Sequence, residues 1–507
     1  MITTEAGLAR DNPGLVWTAA LIVAGLGAYI MYAALPGVNW GIWTAAASAG
    51  LILVARARGT LGGSTFLTVA TATLLAAGAG VTADPLMHGL ICLAVVLFLS
   101  LAMLLAVDPR LERISAPFVI SSPFVAGGNA AGESFRRLVD LSGMFRSTRA
   151  RAAVRGAAIT IPIVLFFALL LAGADPVFAT WRDQIARIIT AWSFVPRLIF
   201  FCALLVVVLG AYSFAVREPA PVSRLLPESS VSANDSDRRL GATEGQILIT
   251  AISALFWLFI AVQLSYLFGN VPSMPGSGIT FAEYAHRGFS ELTIVVTCSV
   301  LLIVASERYG RSNGHAGWLK AVTLALLVAV AIMLVSAFHR VSLYEAGYGY
   351  TVSRLYAQVY MLVLGAGLLA LGREVTGTLD TGRLFRRVFI VATAAFTVLI
   401  FWNHESWIAS ANIDRPAATG KLDVGYITRD LSANAIPVVV SRLATLAEPA
   451  RTELRQALVS RYGSGRKLRE DRWFEWNLRR HQARAALSRI GLPLPTGAPA
   501  VIRTTTN

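Results

Sequence analysis

Apolar residues in this chain come in long blocks, with neither the two-residue alternation of a strand nor the single stripe of a soluble helix. Blocks of about 17 to 25 residues recur, the length a helix needs to cross ~30 Å of hydrocarbon. About eleven can be drawn, near 15–35, 39–55, 65–83, 87–107, 156–174, 195–216, 246–269, 288–306, 319–337, 355–372 and 386–402. The pattern predicts an all-α fold: a polytopic integral membrane helical bundle of about 11 transmembrane helices with a C-terminal helical extramembrane tail.

The polar stretches between the blocks set the expected domain plan. Spans 1 to 6 form an N-terminal bundle over roughly 1–216, with a basic segment at about 108–155. The Pro-, Ser- and Asp-rich stretch at about 217–245 is a flexible linker, 246–402 a second bundle, and 403–507 a basic tail. From Glu133 to Arg155, Phe135, Leu138, Val139 and Phe145 fall near one helical face among arginines. That suits a helix on an anionic membrane surface, or an ordinary basic topology anchor. In the tail, Pro437–Gln456 and Lys467–Ile490 read as helices. The second carries Trp473, Phe474, Trp476 and Leu478 among arginines, a mix favoured at a lipid headgroup boundary.

Composition agrees with the membrane class: 55% of residues are hydrophobic and 14% charged. A net charge of +15 would suggest nucleic acid in a soluble protein, but much of it lies in loops flanking apolar spans. No nucleic-acid partner is expected; the bilayer is. The exits of even-numbered spans are basic, with Arg56 and Arg58 after span 2 and Arg373, Arg383, Arg386 and Arg387 after span 10. Odd-numbered exits are poorer in cations. Cytoplasmic loops carry the excess of Lys and Arg, so this alternation places the N-terminus in the cytoplasm and the tail on the outer side of the membrane. The opening MITTEAGLARDNPG lacks the basic region and cleavage site of a signal peptide, so the first block is read as a retained span. Cys92, Cys202 and Cys298 lie inside spans without metal-ligand spacing and are read as small core residues.

Chemistry gathers at the outer exits. Asn403–Arg415 packs Asn403, His404, Glu405, Trp407, Asn412, Asp414 and Arg415 against a membrane boundary. After span 7, Thr280 precedes Glu283 at a capping-box spacing, and Glu283, Arg287 and Glu291 share one face beside His286. Span 9 ends with His339, Arg340, Tyr344 and Glu345 and turns through Gly347 and Gly349 into Arg354. Five tyrosines, Tyr344, Tyr348, Tyr350, Tyr356 and Tyr360, accompany them, as an aromatic belt would. Four histidines, His88, His286, His339 and His404, sit at outer positions, but no pair has a zinc-ligand spacing such as HExxH, and no GxSxG is present. Neither a metal nor a cofactor is expected.

These stretches resemble a family of polytopic bacterial membrane proteins of unknown function, DUF4173, related to DUF4153. The matching pieces are EYAHRGFSEL at Glu283–Leu292, SRLYAQVY at Ser353–Tyr360, NHESWIASANIDR at Asn403–Arg415, DLSANAIPVVVSRL at Asp430–Leu443 and WFEWNLRRHQAR at Trp473–Arg484. Spans 1 to 6 match in general character only. The family pattern has Pro where this chain has His404 and Asp where it has Asn434. The resemblance implies a bacterial cytoplasmic-membrane protein and supplies no activity.

The leading expectation is a binding or sensing protein whose outer vestibule accepts a small polar or anionic ligand. Arg287, Arg340, Arg354 and Arg415 would contact the anion, with Tyr344, Asn403 and Asn412 beside them. Asn403, Asn412 and Arg415 are also read as capping and pinning the junction between last span and tail. The alternative is a membrane enzyme acting on an envelope lipid or glycan, with Glu405 or Glu291 as general base and His404 or His339 as partner. A transporter, or a structural subunit with a membrane-protein partner, completes the set.

Overall fold

The computed structural model describes residues 13–59, 61–108, 115–141, 194–216, 242–268, 292–304, 316–377, 379–415, 422–463 and 468–492, with scattered residues between 156 and 184. Among the described residues the chain is helical and contains no strand. Among the described residues eight helices are long and apolar enough to cross a membrane, and each coincides with a predicted block. Blocks 7 and 8 correspond to shorter apolar stretches, Ile247–Val262 and Leu292–Val304. Block 5 lies mainly outside the described residues, as do Thr280, Glu283, His286, Arg287 and Glu291.

The chain divides into two compact units. The first contains helices α1 (Pro13–Ile30), α2 (Val38–Arg58), α3 (Gly63–Ala77), α4 (Pro85–Val107), α5 (Ala116–Leu141) and α6 (Val195–Ala215). Its helix ends are specified locally. Gly59, at φ +77°, closes α2 in the left-handed conformation that costs glycine nothing. Asp84 caps α4 by accepting from the Leu86 N–H at 3.0 Å, with Pro85 at the first helical position, where its missing N–H does no harm. Small residues let the helices approach: Gly50 leaves room for Tyr212, whose hydroxyl donates to Ala47 O at 2.8 Å.

Residues 470–481 belong to this first unit. They clamp the α1–α2 loop and the turn before α4. Glu475 is fully buried and its carboxylate accepts from the Leu35 and Arg472 backbone N–H groups at 2.8 and 3.0 Å. Asn477 Nδ2 donates to Ala79 O and Thr82 O at 2.8 and 2.6 Å, and Arg480 Nη1 to Pro36 O at 2.8 Å. These bonds explain a departure from the expected Lys467–Ile490 helix. Glu475 turns Trp473–Glu475 into a single 3₁₀ turn, and the helix proper, α15 (Leu478–Arg489), starts only afterwards. Phe474 is buried against Tyr29 at 5.8 Å between ring centres, while Trp473 and Trp476 stay exposed.

The second unit contains α7 (Ala242–Phe268), α8 (Leu292–Val304), α9 (Ala316–Tyr348), α10 (Val352–Thr376), α11 (Thr381–Phe401), α12 (His404–Asp414), α13 (Ile436–Arg442) and α14 (Ala450–Tyr462). At 33 residues, α9 is about 50 Å long, well over the hydrocarbon thickness, so it continues past the expected end of its span. One core joins α7 to α10 around Val330, Met333 and Leu371, and a second packs the tail around Ile408, Leu431, Leu454 and Leu487. This second core also takes in Leu355 of α10, so the tail segments of this unit fold against the α9–α10 turn. The tail's expected Pro437–Gln456 helix is interrupted after Arg442, because Pro449 has no N–H for an ongoing helix and instead begins a new one as the residue before α14.

The three cysteines are exposed on the flanks of their helices, not packed in a core as expected. A flank that faces hydrocarbon is no worse for a thiol than the interior, so burial does not discriminate.

Candidate functional site

The polar cluster assembles where three helix ends of the second unit meet: the α9–α10 turn, the α11–α12 hinge and the start of the folded tail. Gly349, at φ +91°, breaks α9 from α10; a side chain there would strike Asn412 Oδ1. Thr351 then caps α10 by accepting from the Arg354 N–H at 3.4 Å.

Two arginines converge on the last turn of α9. Arg354 Nη1 donates to Gly349 O, and its guanidinium lies over the Tyr344 ring, 4.2 Å from the centroid. Arg415 Nη1 reaches Ala346 O at 3.5 Å. Both are half-buried, and neither forms an ion pair among the described residues. Arg340, also half-buried, stands one turn before Tyr344 on the same face of α9. Cations near a helix C-terminus are favoured, but Arg354 also sits in the first turn of α10, where a positive charge is opposed by the macrodipole.

The opposite end of α10 is balanced differently. There Glu374, buried, accepts from Arg383 Nε at 2.9 Å and from Arg387 Nη1 at 2.6 Å. The Asp380 carboxylate beside them is held below its ordinary range, first by the Arg383 backbone N–H. One helix therefore carries an acid matched by guanidinium groups at one end and, at the other, a guanidinium that forms no ion pair among the described residues although its charge reaches the buried Glu345.

The hinge residues do structural work. Asn403 caps α12, its side chain accepting from the Ser406 N–H at 3.3 Å and donating to Asn434 O at 3.1 Å. Helix α11 ends at Phe401, and this cap supplies the break. Asn412 pairs with the Tyr350 backbone in both directions, each bond 2.8 Å. Arg442 meets Asp414 at 3.3 Å.

His404 and Glu405 are both buried, but consecutive helix positions point about 100° apart. His404 Nε2 lies 3.2 Å from the Tyr356 hydroxyl, and its Nδ1 3.3 Å from Leu399 O and Trp402 O. Glu405 Oε2 accepts from the Ser432 N–H at 3.2 Å and from the Ser432 hydroxyl. Glu345 is buried as well and accepts from Gln358 Nε2 at 2.7 Å. His339, by contrast, is exposed on α9. Around Glu405, burial pushes the Tyr426 and Tyr462 phenols above the ordinary tyrosine range, and the carboxylate adds to both shifts. Among the described residues no group of His, Cys, Asp and Glu could hold a metal ion.

Gln358, Tyr426, Ser432 and Arg461 escaped the sequence reading. Arg461 donates to Thr428 O, and its buried Nε has no hydrogen-bond partner. Nothing in local spacing marks these residues. Two of them lie in stretches quoted for the family resemblance, Gln358 in SRLYAQVY and Ser432 in DLSANAIPVVVSRL, without being singled out there.

The family model described as "Domain of unknown function (DUF4153)" matches residues 69–441. The chain belongs to this family. That agrees with the resemblance read from the motifs and extends it: the match begins in α3, well inside the first unit, and ends in α13. Within DUF4153 coverage lie the α9–α10 turn, the α11–α12 hinge and Ser432, whereas the 470–481 clamp lies beyond it. No curated protein and no solved structure matches the chain.

Proposed function

We propose that this DUF4153 member is a multi-pass protein of the bacterial cytoplasmic membrane that binds, in a sensing role, a small anionic ligand in an outward-facing vestibule at the α9–α10 end of its second unit. The observation that carries this is the convergence of Arg354 and Arg415 on one helix end with no carboxylate paired to either among the described residues. Each guanidinium spends one donor on a backbone carbonyl, and a planar five-donor group has more to offer an anion. Arg340 and Tyr344 extend the same face. His404 and Glu405 are each tied to protein groups, which favours positioning roles over acid–base chemistry.

The test uses full-length protein purified in detergent, with phosphate, pyrophosphate and succinate as probes. At least one should raise the unfolding temperature, since ligand at 100 times Kd contributes about 2.7 kcal/mol. Arg354→Ala and Arg415→Ala should each abolish the rise, with lysine at either position restoring it in part. An undiminished rise in both variants overturns the assignment.

A further inference from the structure

The first unit encloses a cavity of about 370 Å³ among α1, α2, α4, α5 and α6, remote in sequence from the arginine site. Its wall is almost wholly apolar. Of the polar groups that reach it, the Tyr212 hydroxyl donates to Ala47 O at 2.8 Å and the Trp43 indole to Val23 O at 3.2 Å, which leaves little beyond Thr44 and Ser100 in an otherwise apolar lining. A cavity so lined gives water few partners and is suited to hydrocarbon.

Its shape is set by the helices. Along α2 the lining runs from Trp40 to Leu51, and along α4 from Cys92 to Met103. At ~1.5 Å per residue each run is about 16 Å, close to half of the ~30 Å hydrocarbon layer. One end lies at Trp40, whose ring stands 6.1 Å from His88, beside the α1–α2 loop. The segment carrying the exposed Trp473 and Trp476 bonds to this end, the Val38 N–H donating to Trp476 O at 3.0 Å, and such aromatic residues are enriched at a headgroup boundary. The mouth opens on the flank of the unit, because Val96 and Val207 both line the cavity and are exposed, as is Gly127 on α5. A flank of membrane-length helices faces lipid.

We infer that this cavity holds one hydrocarbon chain of a membrane lipid, entering laterally from a single leaflet with its polar head at the α1–α2 end. A phospholipid, a free fatty acid and a polyprenyl phosphate share that chain chemistry, and the test separates them.

Full-length protein is purified in a steroid-based detergent that lacks a flexible alkyl chain. It is then alkylated with N-ethylmaleimide in the presence of dioleoylphosphatidylglycerol, palmitic acid or undecaprenyl phosphate. Cys92 lines the cavity, whereas Cys202 and Cys298 do not and serve as references. At ligand near ten times Kd, mass action predicts that the matching probe slows Cys92 about tenfold and leaves the references unchanged. The probe that does so identifies the source. A side chain added at Gly127 meets nothing within 4 Å, so a Gly127→Leu, Ser100→Leu variant should fill the cavity and make Cys92 indifferent to every probe. If no probe slows Cys92 in the wild type, if all three cysteines slow together, or if the folded double variant responds as the wild type does, the inference is overturned. Should the variant fail to fold, the wild-type rates alone decide.

Discussion

Asn412 pairs donor and acceptor with the backbone of a single residue, Tyr350, sixty-two positions away. Replacing it by Ala leaves that N–H and C=O half-buried without partners and should cost about 2 kcal/mol, seen as a thermal unfolding midpoint lowered by several degrees. Asn412→Asp keeps the acceptor for the Tyr350 N–H and should lose less. The sequence had marked Asn412 for pinning the junction, because a polar residue at a span boundary needs a partner. It could not say which partner. His404 and Glu405, neighbours in sequence and offered as an acid–base pair, are turned by helical geometry toward Tyr356 and Ser432 respectively.

At the scale of elements, hydropathy located the spans well because a block of fixed length is what the bilayer demands. It located helix ends poorly. Span 9 was expected to stop near residue 337, but α9 continues to Tyr348, since an apolar run marks the edge of hydrocarbon and the left-handed Gly349 marks the end of the helix. The α11–α12 break depends on Asn403. Asn403→Ala should destabilise the hinge by about 1 kcal/mol, and Asn403→Asp should retain the cap while losing the donation to Asn434 O. At the balanced end of α10, Glu374→Ala leaves Arg383 and Arg387 without their acceptor. A loss of about 2 kcal/mol is expected, below that of a fully buried pair because both guanidinium groups are partly exposed. Denaturant unfolding of the purified variants measures all three.

For the molecule as a whole, the chain's ordering in space was only partly legible. The chain divides into two compact units, and in the first α1 packs more extensively on α6, far along the chain, than on its sequence neighbour α2. The clamp at 470–481 is not legible, because Glu475 meets Leu35 across 440 positions and no local pattern encodes such a contact. It was read instead as a lipid-facing helix, from aromatic and cationic composition that fits a docking segment equally well. Glu475→Ala should expose that dependence: hydrogen exchange at the Leu35 and Arg472 amides should quicken, with little change in α3.

In each unit the described tail segments meet helix ends that follow odd-numbered spans: the α1–α2 loop and the turn before α4 in the first, the α9–α10 turn and the α11 exit in the second. With the cation alternation, that supports a tail and vestibule on the outer face. The most direct measurement is single-cysteine labelling at Tyr348, exposed at the end of α9, in a background with Cys92, Cys202 and Cys298 replaced by Ala. The account predicts that Tyr348→Cys reacts with a membrane-impermeant maleimide in intact cells and that a stabilising anion slows the reaction. Labelling only after the membrane is permeabilised would contradict it.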